Sequence, residues 1–211
     1  MTINQQFREK TLQEIFTKLF DYEAIRFGKF ELKSGVISPF YIDLRVIISY
    51  PDFLKQIADL FIAKLEDINF DTICGVPYTA LPIACAISLK QNIPMLIKRK
   101  EAKDYGTKKL IEGQLKKGER CLIIEDLITS GLSILETTKA LEAEGLIIQD
   151  AIVLIDRNQG GVQNIATKNI QLHSVFKIDD ILNYLKIEQK ITPSQYQNTL
   201  DFLKNNQVIF K

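Results

Sequence analysis

Glu125 and Asp126 stand side by side after an apolar run, Cys121-Leu122-Ile123-Ile124, and a hydroxyl-rich turn, Thr129-Ser130-Gly131-Leu132-Ser133, follows them closely. Adjacent carboxylates can accept hydrogen bonds from the hydroxyls of a ribose. The turn leads into a helical pattern, and Gly131 permits a tight loop whose successive amides form an anion nest at a helix N-terminus. The pair and the turn together point to a sugar phosphate. Two acids after a strand are otherwise a solvated turn with a helix N-cap, and the T-S-G-x-S that follows argues against that plainer reading.

Three more features fall at strand ends or in adjoining loops. Gly75-Val76-Pro77-Tyr78-Thr79 closes an apolar stretch. A loop there presents amides to a second anionic group such as pyrophosphate, although Pro77 has no N–H to offer; alone, the segment also reads as a plain β–α turn. Lys98-Arg99-Lys100-Glu101-Ala102-Lys103-Asp104-Tyr105-Gly106 follows a strand and continues into a long charged loop. Such loops serve as lids, and Lys and Arg stabilise a departing pyrophosphate without proton transfer; the ordinary alternative is a solvated face. Asp156-Arg157 precedes Gly160-Gly161. Arg157 suits bidentate pairing with a substrate carboxylate, or else a surface salt bridge. Lys33-Ser34-Gly35 and Ser38-Pro39-Phe40-Tyr41 supply a lysine and an aromatic wall that could roof a base pocket, or they are simply turn and core residues.

The elements that must position these groups alternate in type. Apolar residues at Phe7, Leu12, Ile15, Phe16 and Leu19 have helical spacing over Ile3 to Phe20, with Thr2 or Asn4 as N-cap. Short extended pieces follow at Ala24–Phe27, Phe30–Leu32 and Phe40–Leu44, with turns at Gly28-Lys29 and Ser34-Gly35. Then come a helix over Pro51–Leu65, a strand over Thr72–Val76, a helix over Leu81–Lys90 and a strand over Pro94–Ile97. Glu101–Glu112 reads as loop, Arg120–Ile124 as strand, Ser133–Glu144 as a helix closed by Gly145, and Ile147–Ile155 as strand. Strands alternating with helices imply βαβ units, right-handed crossovers and a mainly parallel sheet whose ligands bind beyond the C-terminal strand ends. The expected organisation is one α/β unit. A helix and hood layer occupy about residues 1–48, a core about 49–176, and C-terminal helices about 177–211.

Composition narrows the function. A net charge of +1 over 211 residues gives no support to sequence-independent nucleic-acid binding. No apolar run approaches a membrane span and the polar start has no signal peptide, so a cytoplasmic protein is expected. Cys74, Cys85 and Cys121 lack CxxC spacing and read as buried small hydrophobes in a reducing compartment. His173, the single histidine, lies in an apolar run and reads as structural, which argues against a histidine-based nucleophile. No spacing typical of a protein metal cage occurs.

The stretch CLIIEDLITSG resembles the 5-phosphoribosyl 1-pyrophosphate (PRPP) signature of type I phosphoribosyltransferases. With FGKFELKSG, SPFYIDLR, CGVPYTALPIA, KRKEAKDYGTK and DAIVLIDRNQGG, in that order over roughly residues 20–176, the chain is similar to orotate phosphoribosyltransferases, in the form found at the N-terminus of two-domain UMP synthases. The resemblance implies the type I phosphoribosyltransferase fold with an N-terminal hood. It also implies transfer of phosphoribosyl from PRPP to N1 of orotate, with Mg²⁺ held mainly by PRPP and no metal-ligating residues of the protein's own. Implied PRPP contacts are Tyr78, Thr79, Arg99, Lys100, Lys103 and Tyr105, with Glu125, Asp126, Leu127, Ile128, Thr129, Ser130, Gly131, Leu132 and Ser133. Implied orotate contacts are Lys33, Tyr41, Ile42, Thr129 and Arg157. Catalysis would fall to Lys103, which stabilises charge growing on pyrophosphate, and to Asp126 and Glu125 at the ribose. The implied assembly is a homodimer whose loop serves the neighbouring site, with no nucleic acid or membrane partner.

Two positions depart from the pattern of stand-alone bacterial members. Tyr105 stands where many have histidine, and a phenol of ordinary pKa near ~10 is no proton shuttle at neutral pH. Thr79 stands where many have lysine, so one pyrophosphate cation is missing. Alternatives are a type I transferase for a purine or other base, and a non-catalytic PRPP-sensing regulator. Lys33 and Arg157 favour an acidic pyrimidine, and a regulator would carry an added DNA-binding helix pair or a strongly basic face.

Overall fold

The computed structural model describes residues 3–32, 35–100 and 110–210. Its centre is a six-stranded sheet in the order β5-β4-β3-β6-β7-β8. The strands are β3 (Thr72–Gly75), β4 (Met95–Lys98), β5 (Ile111–Glu112), β6 (Cys121–Ile128), β7 (Asp150–Asp156) and β8 (Gln171–Lys177). All neighbours are parallel except β5, which pairs antiparallel with the end of β4. The central strands are apolar runs buried along most of their length, as a sheet covered on both faces requires. Helices α2 (Pro51–Leu65), α3 (Ala80–Gln91), α4 (Leu132–Ala143) and α5 (Gly161–Ala166) join or cover them. From β3 the chain moves outward to β4 and β5, then returns to lay β6 on the other side of β3. That reversal opens a crevice between the C-terminal ends of β3 and β6, where such sheets bind ligands.

Several local expectations need correction. The strand expected to stop at Ile124 continues through both acids to Ile128, because β7 supplies partners: Glu125 opposes Val153, Leu127 opposes Ile155 and Ile128 opposes Asp156. β7 starts at Asp150 rather than Ile147, which makes only an isolated bridge to Arg120. Ile111–Glu112, expected as loop, is an edge strand that borrows the open side of β4. Gly28-Lys29, expected as a turn, lies inside β1 (Ile25–Glu31). There Phe27 opposes Phe40 and Phe30 opposes Ser38, so the extra residue is a bulge. A helix, α5, to which the sequence pattern assigned no element, starts at Gly161. Cys85 is exposed, unlike the buried Cys74 and Cys121.

The hood is the antiparallel pair β1 and β2 (Ile37–Ile42), preceded by α1 (Ile3–Asp21). The C-terminal helices α6 (Ile178–Ile187) and α7 (Pro193–Asn205) hold these parts to the sheet. Phe202 of α7 meets Phe40 of β2 edge-on at 6.1 Å. Phe16 of α1 meets Phe176 of β8 at 4.9 Å, and the hydroxyls of Thr17 and Tyr184 bond at 2.7 Å. Pro193 in the first turn and a reciprocal Thr192–Gln195 capping box fix where α7 starts. β2 is thereby held beside the C-terminal end of the sheet, and Phe40 reaches the Arg157 guanidinium that follows β7.

Candidate active site

β6 carries the acid pair to the edge of the crevice. Glu125 is only 5% exposed, and its carboxylate accepts hydrogen bonds from the Ser133 hydroxyl at 2.7 Å and from the Asp126 N–H at 3.1 Å. Burial, and next the neighbouring Asp126 carboxyl, push Glu125 well above the ordinary carboxylate range. Burial also raises Asp126, opposed by hydrogen bonds from Glu125, from backbone amides and from the Thr79 hydroxyl. Thr79, at the start of α3, therefore touches the acid pair at the end of β6, across the crevice predicted by the strand order.

The turn after β6 is built around Gly131, the N-cap of α4, at φ 80°. A Cβ there would lie 2.7 Å from the Ile165 side chain, so both conformation and space demand glycine. Gly161 packs as closely from α5: its Cβ would fall 2.5 Å from Ile128 and 2.9 Å from the Thr129 carbonyl oxygen. The loop Thr129–Ser133 is thus wedged between α4 and α5 with its form set by packing.

On the β3 side, Val76 to Thr79 lead into α3, and the Pro77–Tyr78 peptide is cis. A cavity of about 350 Å³ is lined by Pro77, Tyr78, Leu81, Ile97, Lys98, Arg99 and Lys100. It unites the second and third sequence features. The Lys100 ammonium lies 5.8 Å from the centre of the Tyr78 ring. Arg99 is held by the edge strand, its N–H bonded to Leu110 O at 2.8 Å and its guanidinium 3.4 Å from Glu112. Lys33, Lys103 and Tyr105 lie outside the described residues.

Arg157 follows β7 directly, its N–H donating to Ile128 O at 3.1 Å. The guanidinium is buried over the Phe40 ring at 4.7 Å, Nε has no hydrogen-bond partner, and no carboxylate among the described residues pairs with it. Burial pushes its pKa down to about 10. Among the described residues this arginine makes no surface salt bridge; a buried cation without a partner there suits an anionic ligand. Tyr41 and Ile42 follow Phe40 along β2, but the ring contacts of Tyr41 are to Arg26 at 5.4 Å and Phe30 at 5.6 Å. Sequence reasoning missed Phe40 as the support of Arg157. It also missed Arg45, forked onto Asp43 at 2.6 and 2.7 Å and close enough to Asp126 to feel its charge. The Asp-x-Arg spacing was the available signal. His173 bonds Asp150 at 2.7 Å at the start of β7, the opposite end of that strand from Arg157. Among the described residues, no three His, Cys, Asp or Glu side chains gather as a metal site, and no helix is long and apolar enough to cross a membrane.

Comparison with known proteins agrees with this geometry. Residues 47–183 match the model of the phosphoribosyl transferase domain. The chain belongs to the phosphoribosyltransferase family. It is 49% identical to uridine 5′-monophosphate synthase of Bos taurus over 197 residues, covering 92% of this chain and 41% of that protein. It thus spans about two-fifths of that relative's length. It is 44% identical to orotate phosphoribosyltransferase of Caenorhabditis elegans over 181 residues, covering 85% of this chain and 80% of that protein. The structure of Leishmania donovani UMP synthase superposes with a TM-score of 0.85 at 36% identity, over 92% of this chain and 42% of that one. The fold is the type I phosphoribosyltransferase fold, and the paired strands β1 and β2 are its hood.

The buried acid pair gives a pH signature. Because Glu125 is raised in the folded state above its ordinary 4.5, the folded protein holds that proton more tightly than the unfolded chain. The stability this contributes is full below pH 4.5 and is lost as pH rises through the raised value. Between pH 5 and pH 8 the protein should lose stability relative to Glu125→Gln, read as a widening gap in urea midpoint. Glutamine keeps one acceptor, enough for the Asp126 N–H, and turns a donor toward the Ser133 hydroxyl, a change that adds a pH-independent offset. A gap that stays constant across the range would remove the raised carboxyl.

Proposed function

We propose that the protein is an orotate phosphoribosyltransferase of pyrimidine biosynthesis, transferring phosphoribosyl from PRPP to N1 of orotate. The observation that carries the choice of base is Arg157, a buried guanidinium without a carboxylate partner among the described residues, at a strand end of the proposed substrate crevice. A neutral purine would leave that cation unpaired; the orotate carboxylate would pair it. Lys33, Tyr41, Ile42 and Thr129 complete the proposed base site, and Phe40 keeps Arg157 in place.

For PRPP, the amides of Thr129 to Ser133 would take the 5′-phosphate, and the carboxylates of Glu125 and Asp126 the ribose hydroxyls. Tyr78, Thr79, Arg99, Lys100, Lys103 and Tyr105 would surround pyrophosphate, and the cavity beside Tyr78 and Lys100 supports that placement. Orotate N1 forms a bond to the anomeric carbon while the bond from that carbon to the pyrophosphate oxygen breaks, and its electron pair leaves with pyrophosphate. Asp126 stabilises positive charge on the sugar, and Lys103 stabilises negative charge on the leaving group. The donor set, with a single pair of adjacent acids, fits Mg²⁺ bound through substrate oxygens and water with one or two carboxylates at most. When bound, Mg²⁺ neutralises charge on pyrophosphate. Closure of the basic loop would exclude water as a competing acceptor. A homodimer that lends this loop to the neighbouring site, and a cytoplasmic location that keeps Cys74, Cys85 and Cys121 reduced, belong to the same proposal.

Ultraviolet absorbance tests the reaction: orotate should be consumed only when PRPP and a divalent metal are both present. Faster turnover of hypoxanthine or adenine would overturn the choice of base.

Arg157→Ala should weaken orotate far more than PRPP. The loss of a charged hydrogen-bonding partner, roughly 1.5–3 kcal/mol, is about 10- to 150-fold. Calorimetry measures each ligand separately, and equal losses for both would remove the carboxylate role.

Lys103→Ala and Asp126→Ala homodimers should each be nearly inactive. Unfolded and refolded together, they form mixed dimers in which one site has both residues intact and the other has neither. Random exchange in a two-fold dimer makes half the molecules mixed, so activity should return to about a quarter of the unmodified level. Mixed dimers seen by mass spectrometry without any recovered activity would place Lys103 in its own subunit's site.

A further inference from the structure

Residues 206–210 leave α7 and run back over the turn between β7 and α5. Val208 N–H donates to Gln159 O at 2.9 Å, Gln159 Nε2 to Asn206 O at 2.8 Å and Gln207 Nε2 to Asn158 O at 2.9 Å. The segment presses on backbone, since a Cβ on Gly160 would lie 2.6 Å from Val208 O. Asn164 of α5, 1% exposed, bonds the same segment. Its Nδ2 donates to Val208 O at 2.7 Å and its Oδ1 accepts from Phe210 N–H at 2.8 Å. The other Nδ2 hydrogen goes to Ser130 O at 2.8 Å, in the loop proposed for the 5′-phosphate. Two carbonyls and one N–H as partners allow a single orientation of the Asn164 amide.

That bond decides which way a peptide faces. In a trans peptide the carbonyl and the following N–H point in opposite directions. With Ser130 O held by Asn164, Gly131 N–H is turned to the side away from α5, and it has no partner among the described residues. Were the peptide to flip, a carbonyl oxygen would face an anion at the start of α4 instead of an N–H. Gly131, without a Cβ and at φ 80°, is the residue most able to allow the flip.

We propose that Asn164 is a positioning residue for the 5′-phosphate, locking the Ser130–Gly131 peptide with its N–H toward the anion, and that the segment 206–210 holds Asn164 in that pose. The inference rests on the reading of Thr129–Ser133 as the phosphate loop. It links two parts of the chain that no shared motif connects.

Two full-length variants test it. Asn164→Leu keeps much of the shape and removes all three bonds. Phe210→Pro removes the N–H given to Oδ1 at an exposed residue, and Phe210→Ala, which keeps that N–H, controls for the lost side chain. Ribose 5-phosphate and Mg-pyrophosphate are titrated by calorimetry, with thermal unfolding as a check. Asn164→Leu should weaken ribose 5-phosphate roughly 5- to 100-fold, Phe210→Pro by a smaller factor, and neither should change pyrophosphate affinity. Unchanged ribose 5-phosphate affinity, or equal losses for both ligands, overturns the positioning role; if Asn164→Leu does not fold, Phe210→Pro decides alone. Failure of the unmodified protein to bind ribose 5-phosphate would instead overturn the phosphate-loop reading, and this inference with it.

Discussion

Parallel pairing brings every strand of the central sheet except β5 to an end on the same edge, and the remaining features of the site follow from this constraint. β3, β4, β6 and β7 arrive there together, so Thr79, Lys98, Asp126 and Arg157, far apart in the chain, follow or end neighbouring strands. The reversal of strand order between β3 and β6 keeps a helix from closing the gap between their ends. Loops at that edge must satisfy their own amides, and an anion is one of the few partners able to satisfy several at once.

The same edge carries groups that are poorly served by the protein alone. Glu125 and Asp126 are pushed toward the protonated form by burial, and Arg157 is pushed toward loss of its proton for the same reason. The protein does not let the opposite charges cancel: the acids bond Ser133, Thr79 and backbone amides, while Arg157 rests on an aromatic ring. Pairing them with one another would relieve both and leave nothing for a ligand. Keeping them apart is a cost in stability that burial of the large apolar sheet offsets.

Much of this frame was legible in the sequence. Apolar runs and Pro51 marked the central strands and α2, and T-S-G-x-S marked the loop between β6 and α4. What escaped depended on distant partners. Glu125 and Asp126 are extended because Val153 and its neighbours pair beside them, which no local pattern announces. The bulge at Gly28-Lys29 depends on register with β2. Arg157 could be read as a carboxylate binder or a salt bridge until its surroundings were seen. Asn164 had no signal, since an asparagine in a polar helical segment is ordinary, and its side-chain partners lie 34, 44 and 46 residues away. Arg45 was readable, because Asp-x-Arg at the end of a strand can fork within one turn.

Ligand binding then acts on protons as well as on geometry. A ribose hydroxyl that donates to Glu125 or Asp126 favours the ionised carboxylate, opposing the effect of burial. A sugar with two such hydroxyls would supply bonds that solvent, excluded by burial, does not, and the gain would be larger than for the same bonds made in water. A ligand without them would leave the acids desolvated and unserved, a penalty rather than a neutral loss. If the pair takes ribose hydroxyls as proposed, discrimination for a ribosyl donor would be built into its burial, before any contact with the base is made.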